Sequence, residues 1–266
     1  MNSLLIRKAF RQWVSALKSG LKKESLTAHQ KRLERIQRLN PAGNYKQWLR
    51  FIHEQLKPAT YLEIGVAKGG TLCLANENCL AVGVDPAFRI EAQFEAQTKA
   101  YRLPSDQFFA DYDIQSVFNN KPIEFAFIDG LHSYRQVVRD FVHTIKYCRK
   151  DSLIAVHDVV PPDELCASVH RKTILWAGDV YKALVYLKSR SPGLEIKIVR
   201  AAPTGLALVS NLNAVDIEAL EHGQCGDSDL NMDELSVSYY HEKWLTNLEN
   251  IYELPKDPEK LRCLLN

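Results

Sequence analysis

From residue 61 the chain alternates short apolar runs with longer amphipathic stretches. The runs are Tyr61-Leu62-Glu63-Ile64, Ala81-Val82-Gly83-Val84, Gln107-Phe108-Phe109-Ala110, Glu124-Phe125-Ala126-Phe127-Ile128 and Leu153-Ile154-Ala155-Val156. Each has the length of a strand, and starts roughly 16 to 30 residues apart leave room for a crossover helix between most pairs, the pattern of βαβ units. Between the last two runs, residues 133–149 place Val137/Val138, Phe141/Val142, Ile145 and Cys148 on one helical face, with Ser133 as N-cap. A long loop over 159–177 and a helix over 179–189 follow. Runs at 195–200 and 205–210 lie too close together for a crossover and should pair as an antiparallel hairpin. The pattern predicts an α/β fold: a seven-stranded, mostly parallel sheet ending in that hairpin.

The flanks read differently. Leu5/Ile6, Phe10, Trp13/Val14, Leu17 and Leu21 recur at helical spacing. Further helices are expected at about 29–38 and 45–56, with a turn cluster, Asn40-Pro41-Ala42-Gly43-Asn44, between them. The tail looks helical near 215–222 and 239–251. Residues 1–44 are thus read as an N-terminal helical extension, 45–210 as the central domain and 211–266 as a partly helical C-terminal extension.

Composition adds little until it is divided. The 266 residues are 46% hydrophobic and 25% charged, ordinary for a globular protein, with a formal net charge of +2. Residues 1–40, however, hold ten Lys/Arg against two Glu, so a basic arm precedes a mildly acidic body. The arm suits docking on an anionic membrane surface, on its own domain or on a second copy in a homo-oligomer. Six scattered cysteines without C-x-x-C spacing indicate neither a zinc ribbon nor a disulfide framework. With no long apolar run or secretory leader pattern, the expected location is cytoplasmic, with peripheral contact at the inner face of a membrane through the arm.

Candidate chemistry collects at the ends of the runs, where open parallel sheets bind ligands. The first run carries Glu63 and passes into Gly65-Val66-Ala67-Lys68-Gly69-Gly70-Thr71; the others end at Asp85, Asp111, Asp129 and His157-Asp158. The glycine turn lacks the lysine of a phosphate-cradling P-loop, since Thr71 follows Gly70. It also lacks the middle glycine of a G-x-G-x-x-G turn, because position 67 is Ala, and Glu63 would repel a pyrophosphate.

Glu63-Ile64-Gly65-Val66-Ala67-Lys68-Gly69-Gly70 followed by Val82-Gly83-Val84-Asp85 resembles the first two motifs of class I S-adenosylmethionine-dependent methyltransferases. Phe127-Ile128-Asp129-Gly130-Leu131-His132-Ser133-Tyr134, Val156-His157-Asp158, Trp176-Ala177-Gly178-Asp179-Val180 and Pro203-Thr204-Gly205-Leu206 resemble the branch that includes sugar and macrolide O-methyltransferases. The resemblance implies a Rossmann-like sheet and S-adenosylmethionine as methyl donor. It places Glu63, Gly65, Gly69 and Gly70 at the donor's amino-acid portion, Asp85 at its ribose and Asp111, or its neighbour Asp113, near the adenine, with Asp129 also at the donor site. His132 is implied as the catalytic base, with Mg²⁺ held by Asp129 and Asp158. His157 joins that metal set, although some relatives carry an acid there. Trp176, Asp179 and Tyr181 follow the long loop and are candidates for lining the acceptor pocket, with core packing the alternative for Trp176 and Tyr181.

The expected reaction is methylation of a hydroxyl on a small-molecule or glycan acceptor. Two alternatives stand beside it: a donor-binding scaffold without turnover, and a nucleic-acid methyltransferase. The second is disfavoured because Val156-His157-Asp158-Val159 stands where an amino-methylation motif would lie.

Overall fold

The computed structural model describes residues 25–222 and 232–253. The expected helix over residues 5–21 lies outside the described residues. Helix α1 (Leu26–Leu39) starts at Ser25, whose side chain accepts from the Ala28 amide, and α2 (Tyr45–Leu56) starts at an Asn44/Gln47 capping box. The sheet then builds from β1 (Thr60–Ile64), β2 (Leu80–Val84), β3 (Gln97–Tyr101), β4 (Ile123–Ile128) and β5 (Cys148–His157). Two short helices, α3 (Ser105–Asp111) and α4 (Ile114–Val117), precede β4, and α5 (Tyr134–Ile145) precedes β5. Helix α6 (Tyr181–Arg190), the β6 (Glu195–Val199)–β7 (Leu206–Ser210) hairpin, α7 (Ile217–His222) and β8 (Glu249–Ile251) complete it.

The strand order is β3-β2-β1-β4-β5-β7-β6-β8. Strands β1 to β5 pair in parallel, β7 is antiparallel to both β5 and β6, and β8 runs parallel to β6. Strand order reverses beside β1, where the chain leaves β3 and returns as β4, so the β1–β4 edge is the switch point at which such sheets bind ligands.

The inner strands read as continuous apolar runs because both faces are covered. Leu62, Val82, Ala126, Ile128, Ile154 and Val156 face one cluster, which includes Val137 and Phe141 of α5 and Leu184 of α6. The alternate residues Tyr61, Ala81, Phe125, Phe127 and Ala155 face the other, filled by Trp48, Leu49 and Ile52 of α2.

Three expectations are corrected. Residues 107–110 are not a strand but part of α3, and the third strand is Gln97–Tyr101. Its sequence, QTKAY, is polar because it lies at the sheet edge and is only partly buried. The sheet has eight strands rather than seven, because the tail around 239–251 is not one helix; short helical turns lead into β8. The first two crossovers also carry no full helix: a single 3₁₀ turn, Leu72–Leu74, links β1 to β2, and β2 to β3 is irregular.

Helix α1 is fastened to the body by polar contacts. Arg32, 5% exposed, pairs with Asp163 at 2.8 Å; Asn40 Nδ2 donates to the Pro203 carbonyl, and Arg200 Nε donates to the Leu39 carbonyl. Among the described residues no helix is long and apolar enough to cross a membrane, and Cys73, Cys79, Cys148 and Cys166 are free thiols.

Candidate active site

At the switch point the carboxyl ends of β1, β2 and β4 enclose a cavity of about 620 Å³. Its walls are Ile64, Gly65 and Ala67 from β1 and the glycine turn, Val84 and Asp85 from β2, and Asp129 to His132 after β4. The first turn of α3 (Ser105, Asp106) and Gln136 of α5 close the remaining side. Gly65 has φ +96°, and a Cβ on it would collide with the Asp129 carbonyl. Only glycine lets the turn after β1 lie this close to the loop after β4.

Asp85 holds the turn in place. Its Oδ2 accepts from the Ala67 amide at 2.8 Å and its Oδ1 from the Ala87 amide at 2.6 Å, while the side chain stays on the cavity wall. Each carboxylate oxygen can accept more than one hydrogen bond, so capacity for ligand hydroxyls remains.

Glu63 is placed differently from the expectation. It is fully buried and absent from the cavity wall; its Oε2 accepts from Tyr61 Oη at 2.7 Å and its Oε1 from Thr71 Oγ1 at 2.8 Å. Burial raises its pKa to about 8 against the lowering effect of both donors. Glu63 therefore braces the glycine turn from beneath and does not line the cavity. Gly69 faces Ile90 and Phe94, and Gly70 lies beside Lys46, so neither lines this cavity.

Asp111 needs correction. It ends α3, exposed, accepting from Gln107 Nε2 at 3.0 Å, and does not border the cavity. Asp113 caps α4. The acid at the cavity is Asp106, one helical turn earlier, where Gln136 Nε2 donates to its Oδ1 at 2.9 Å. Ser105, Asp106 and Gln136 were missed by sequence reasoning. The available signal was Pro104-Ser105-Asp106, a helix start with an acid in its first turn.

Beside the cavity, two acids and two histidines converge. Asp129 and Asp158 follow β4 and β5, and Asp158 holds φ +66°, an uncommon conformation for a residue with a side chain. His132 Nδ1 lies 3.1 Å from Asp158 Oδ2 and 3.0 Å from the Trp176 carbonyl, while its Nε2 lies 3.8 Å from Asp129 Oδ1. The Trp176 indole stacks on the imidazole, with ring centres 4.8 Å apart, and is itself held by donation to the Ser168 carbonyl.

Thr204 donates to Asp158 Oδ1, whereas Asp158 Oδ2 is buried with no hydrogen-bond donor satisfying it. A divalent cation fits that unsatisfied oxygen, since Asp129, His132 and Asp158 offer ligand atoms all within 4.8 Å of one another.

The third member of this cluster is His132 and not His157. His157 is set behind the acids, with Nδ1 3.1 Å from Asp129 Oδ1 and 3.5 Å from Asp158 Oδ1, its ring tilted against that of Tyr45 with centres 4.0 Å apart. Burial alone would lower its pKa, but Asp129 and Asp158 outweigh that and raise it to about 9. At neutral pH it is an imidazolium that neutralises the paired acids from behind.

Of the other expected residues, Asp179 Oδ1 accepts from the Tyr134 amide and so caps α5, the role expected of Ser133, which makes no capping bond. Tyr181 is buried, donating to the Leu235 carbonyl.

Residues 62–159, spanning β1 to the end of β5, match the family model described as a methyltransferase domain. The matched stretch is a little over a third of the chain. It contains the expected motif acids Glu63, Asp85, Asp129 and Asp158 together with His132, and so bears out the resemblance read from those motifs. Trp176 and Thr204, which hold His132 and Asp158, lie beyond the matched stretch of the methyltransferase domain, as does all of α2.

A comparison with curated protein sequences finds no match. Among solved structures, the chain is similar to the O-methyltransferase TomG from Streptomyces achromogenes, involved in tomaymycin synthesis and in complex with SAM. That similarity has 14% identity and a TM-score of 0.47, covering 74% of this chain and 95% of that one. It is similar to a SAH-bound methyltransferase from Podospora anserina at 12% identity and a TM-score of 0.49, covering 79% and 88%. A Bacillus cereus O-methyltransferase in complex with SAH has 13% identity and a TM-score of 0.44, covering 79% and 91%.

Proposed function

We propose that the protein transfers a methyl group from S-adenosylmethionine to a hydroxyl of a small-molecule or glycan acceptor. The observation that carries this reading is the convergence of His132 with Asp129 and Asp158 at the edge of the Asp85–Asp106 cavity, within the methyltransferase domain. Asp85 binds the donor's ribose hydroxyls, and Ser105 and Asp106 meet the adenine. S-adenosylmethionine supplies the electrophilic methyl group when bound.

A hydroxyl is a poor nucleophile until its proton leaves, so the acceptor side needs a base. With the Nδ1 proton donated to the Trp176 carbonyl, His132 presents Nε2 as the acceptor of the hydroxyl proton. Trp176 fixes the plane of the imidazole by stacking, and Asp158 stabilises the positive charge the ring acquires. Asp129 and Asp158 would hold Mg²⁺, which would supply Lewis acidity that lowers the hydroxyl's pKa, while His132 beside them stays free to act as base. Much of the rate comes from alignment of the two reactants, which the rigid strand ends impose.

Calorimetry with S-adenosylmethionine tests the donor: binding by wild type, lost by at least about tenfold in Asp85→Ala, is expected. No binding by wild type would refute the reading. For the acceptor side, His132→Gln is expected to lower kcat by about 10²- to 10⁴-fold while donor affinity stays within about twofold. Chelation should abolish turnover and Mg²⁺ restore it; activity indifferent to both sinks the metal assignment.

A further inference from the structure

The donor proposed above is zwitterionic at its amino-acid end, and the site offers that end mostly acids. Asp129 lies on the cavity wall and Asp158 beside it, and a carboxylate placed near them needs a cation. Lys68, the lysine of the glycine turn, is turned outward: it pairs with Glu91 at 2.9 Å, both side chains well exposed. His157 is occupied by the two acids it neutralises.

Lys46 is the cation left over. It stands in the first turn of α2, where its backbone is pinned by the capping box and its own amide donates to Asn44 Oδ1 at 2.9 Å. Its Nζ lies 3.0 Å from where a Cβ on Gly70 would sit, so glycine at position 70 leaves the space the ammonium uses. The same Nζ is 5.9 Å from the centre of the Tyr45 ring, and that ring lies tilted against His157, with centres 4.0 Å apart. Its charge acts on both Glu63, beneath the turn, and His157, behind the paired acids. The ammonium therefore stands beside the glycine turn, just outside the cavity wall, and among the described residues it makes no ion pair. Tyr45 closes the same side, partly buried, with Asp129, Asp158 and Glu63 all acting on its hydroxyl.

We propose that Lys46 binds the α-carboxylate of the methyl donor, with Tyr45 as the wall beside it, so that α2 completes a donor site the matched domain leaves open. This rests on the donor assignment of the preceding section. A donor carboxylate entering past the glycine turn meets Asp129 on the cavity wall and Asp158 beside it, and Lys46 is the cation that side offers, so that the amino-acid end meets both signs it carries.

The test compares two probes that differ only in that end. S-adenosylhomocysteine carries the amino and carboxylate groups; 5′-methylthioadenosine keeps the adenosine and the thioether and lacks both. Calorimetry on wild type, Lys46→Met and Lys46→Arg is expected to show S-adenosylhomocysteine weakened about tenfold or more by the Met variant and largely restored by Arg. Binding of 5′-methylthioadenosine should be the same in all three. Unchanged S-adenosylhomocysteine affinity in Lys46→Met, or an equal loss for both probes, overturns the role of Lys46 while leaving the donor site standing. Wild-type protein that binds neither probe overturns the donor site and this proposal together.

Discussion

Glu63 shows how far a residue's identity can mislead about its job. An acid beside a glycine turn reads as a ligand contact, but this one faces inward and receives two hydroxyl donors in a fully buried site. With its folded pKa raised to about 8, the native protein keeps a proton that the unfolded chain releases near the ordinary carboxylate value. The native state thus binds more protons between those limits, and this group's contribution to stability is full at low pH and declines as pH rises through about 8. The slope from one such group reaches at most about 1.4 kcal/mol per pH unit. Glu63→Gln should flatten the denaturation midpoint against pH between about 5 and 8, relative to wild type; parallel profiles would contradict this. Asp85, Asp129 and Asp158 were legible because they follow apolar runs, a position set by the chain itself, and His132 because it stands in the motif that Asp129 opens. Burial is not written in the sequence, and neither was Glu63's role.

Among the elements, inner strands could be read and the edge strand could not. Strands β1, β2, β4 and the inner half of β5 are covered on both faces, so their apolar runs stand out. Strand β3 has one neighbouring strand and little burial, so QTKAY carries no run, and the paired Phe108-Phe109 of α3 drew the strand assignment instead. That error put the expected ligand contact at Asp111, which does not border the cavity, and passed over Asp106, which does.

The long loop over 159–177 was legible only as a loop, yet it carries Trp176 against His132. Helix α1 holds that loop through the Arg32–Asp163 pair, whose arginine is 5% exposed. Removing one partner of a largely buried pair leaves the other uncompensated. Arg32→Ala is expected to cost about 1–3 kcal/mol, discounted for the partly exposed Asp163, and to speed proteolytic nicking between residues 160 and 177. Unchanged nicking with a lowered melting temperature would show that α1 supports the body without restraining the loop.

For the whole molecule, the sheet's far edge depends on a segment whose hydrophobic pattern reads as helix. Strand β8 is three residues long, but Ile251 reaches the same cluster as Trp48 and Phe127, and its carbonyl accepts from the Arg200 amide. Ile251→Ala should cost about 2–3 kcal/mol and lower Tm by about 4–8 °C, with affinity for S-adenosylhomocysteine retained because β8 does not border the cavity. A loss of affinity matching the loss of stability would show that the edge and the site are coupled.

The contact from Thr204 to Asp158 joins positions 46 residues apart, across the turn that follows β6. Chains emerging from the ribosome fold from the N-terminal side first. The parallel strands, through residue 157, are all made before the segment that supplies the Asp158 partner exists. Asp158 gains its hydroxyl donor only when residue 204 arrives, so this corner of the cavity is the last part of its rim to be completed during synthesis.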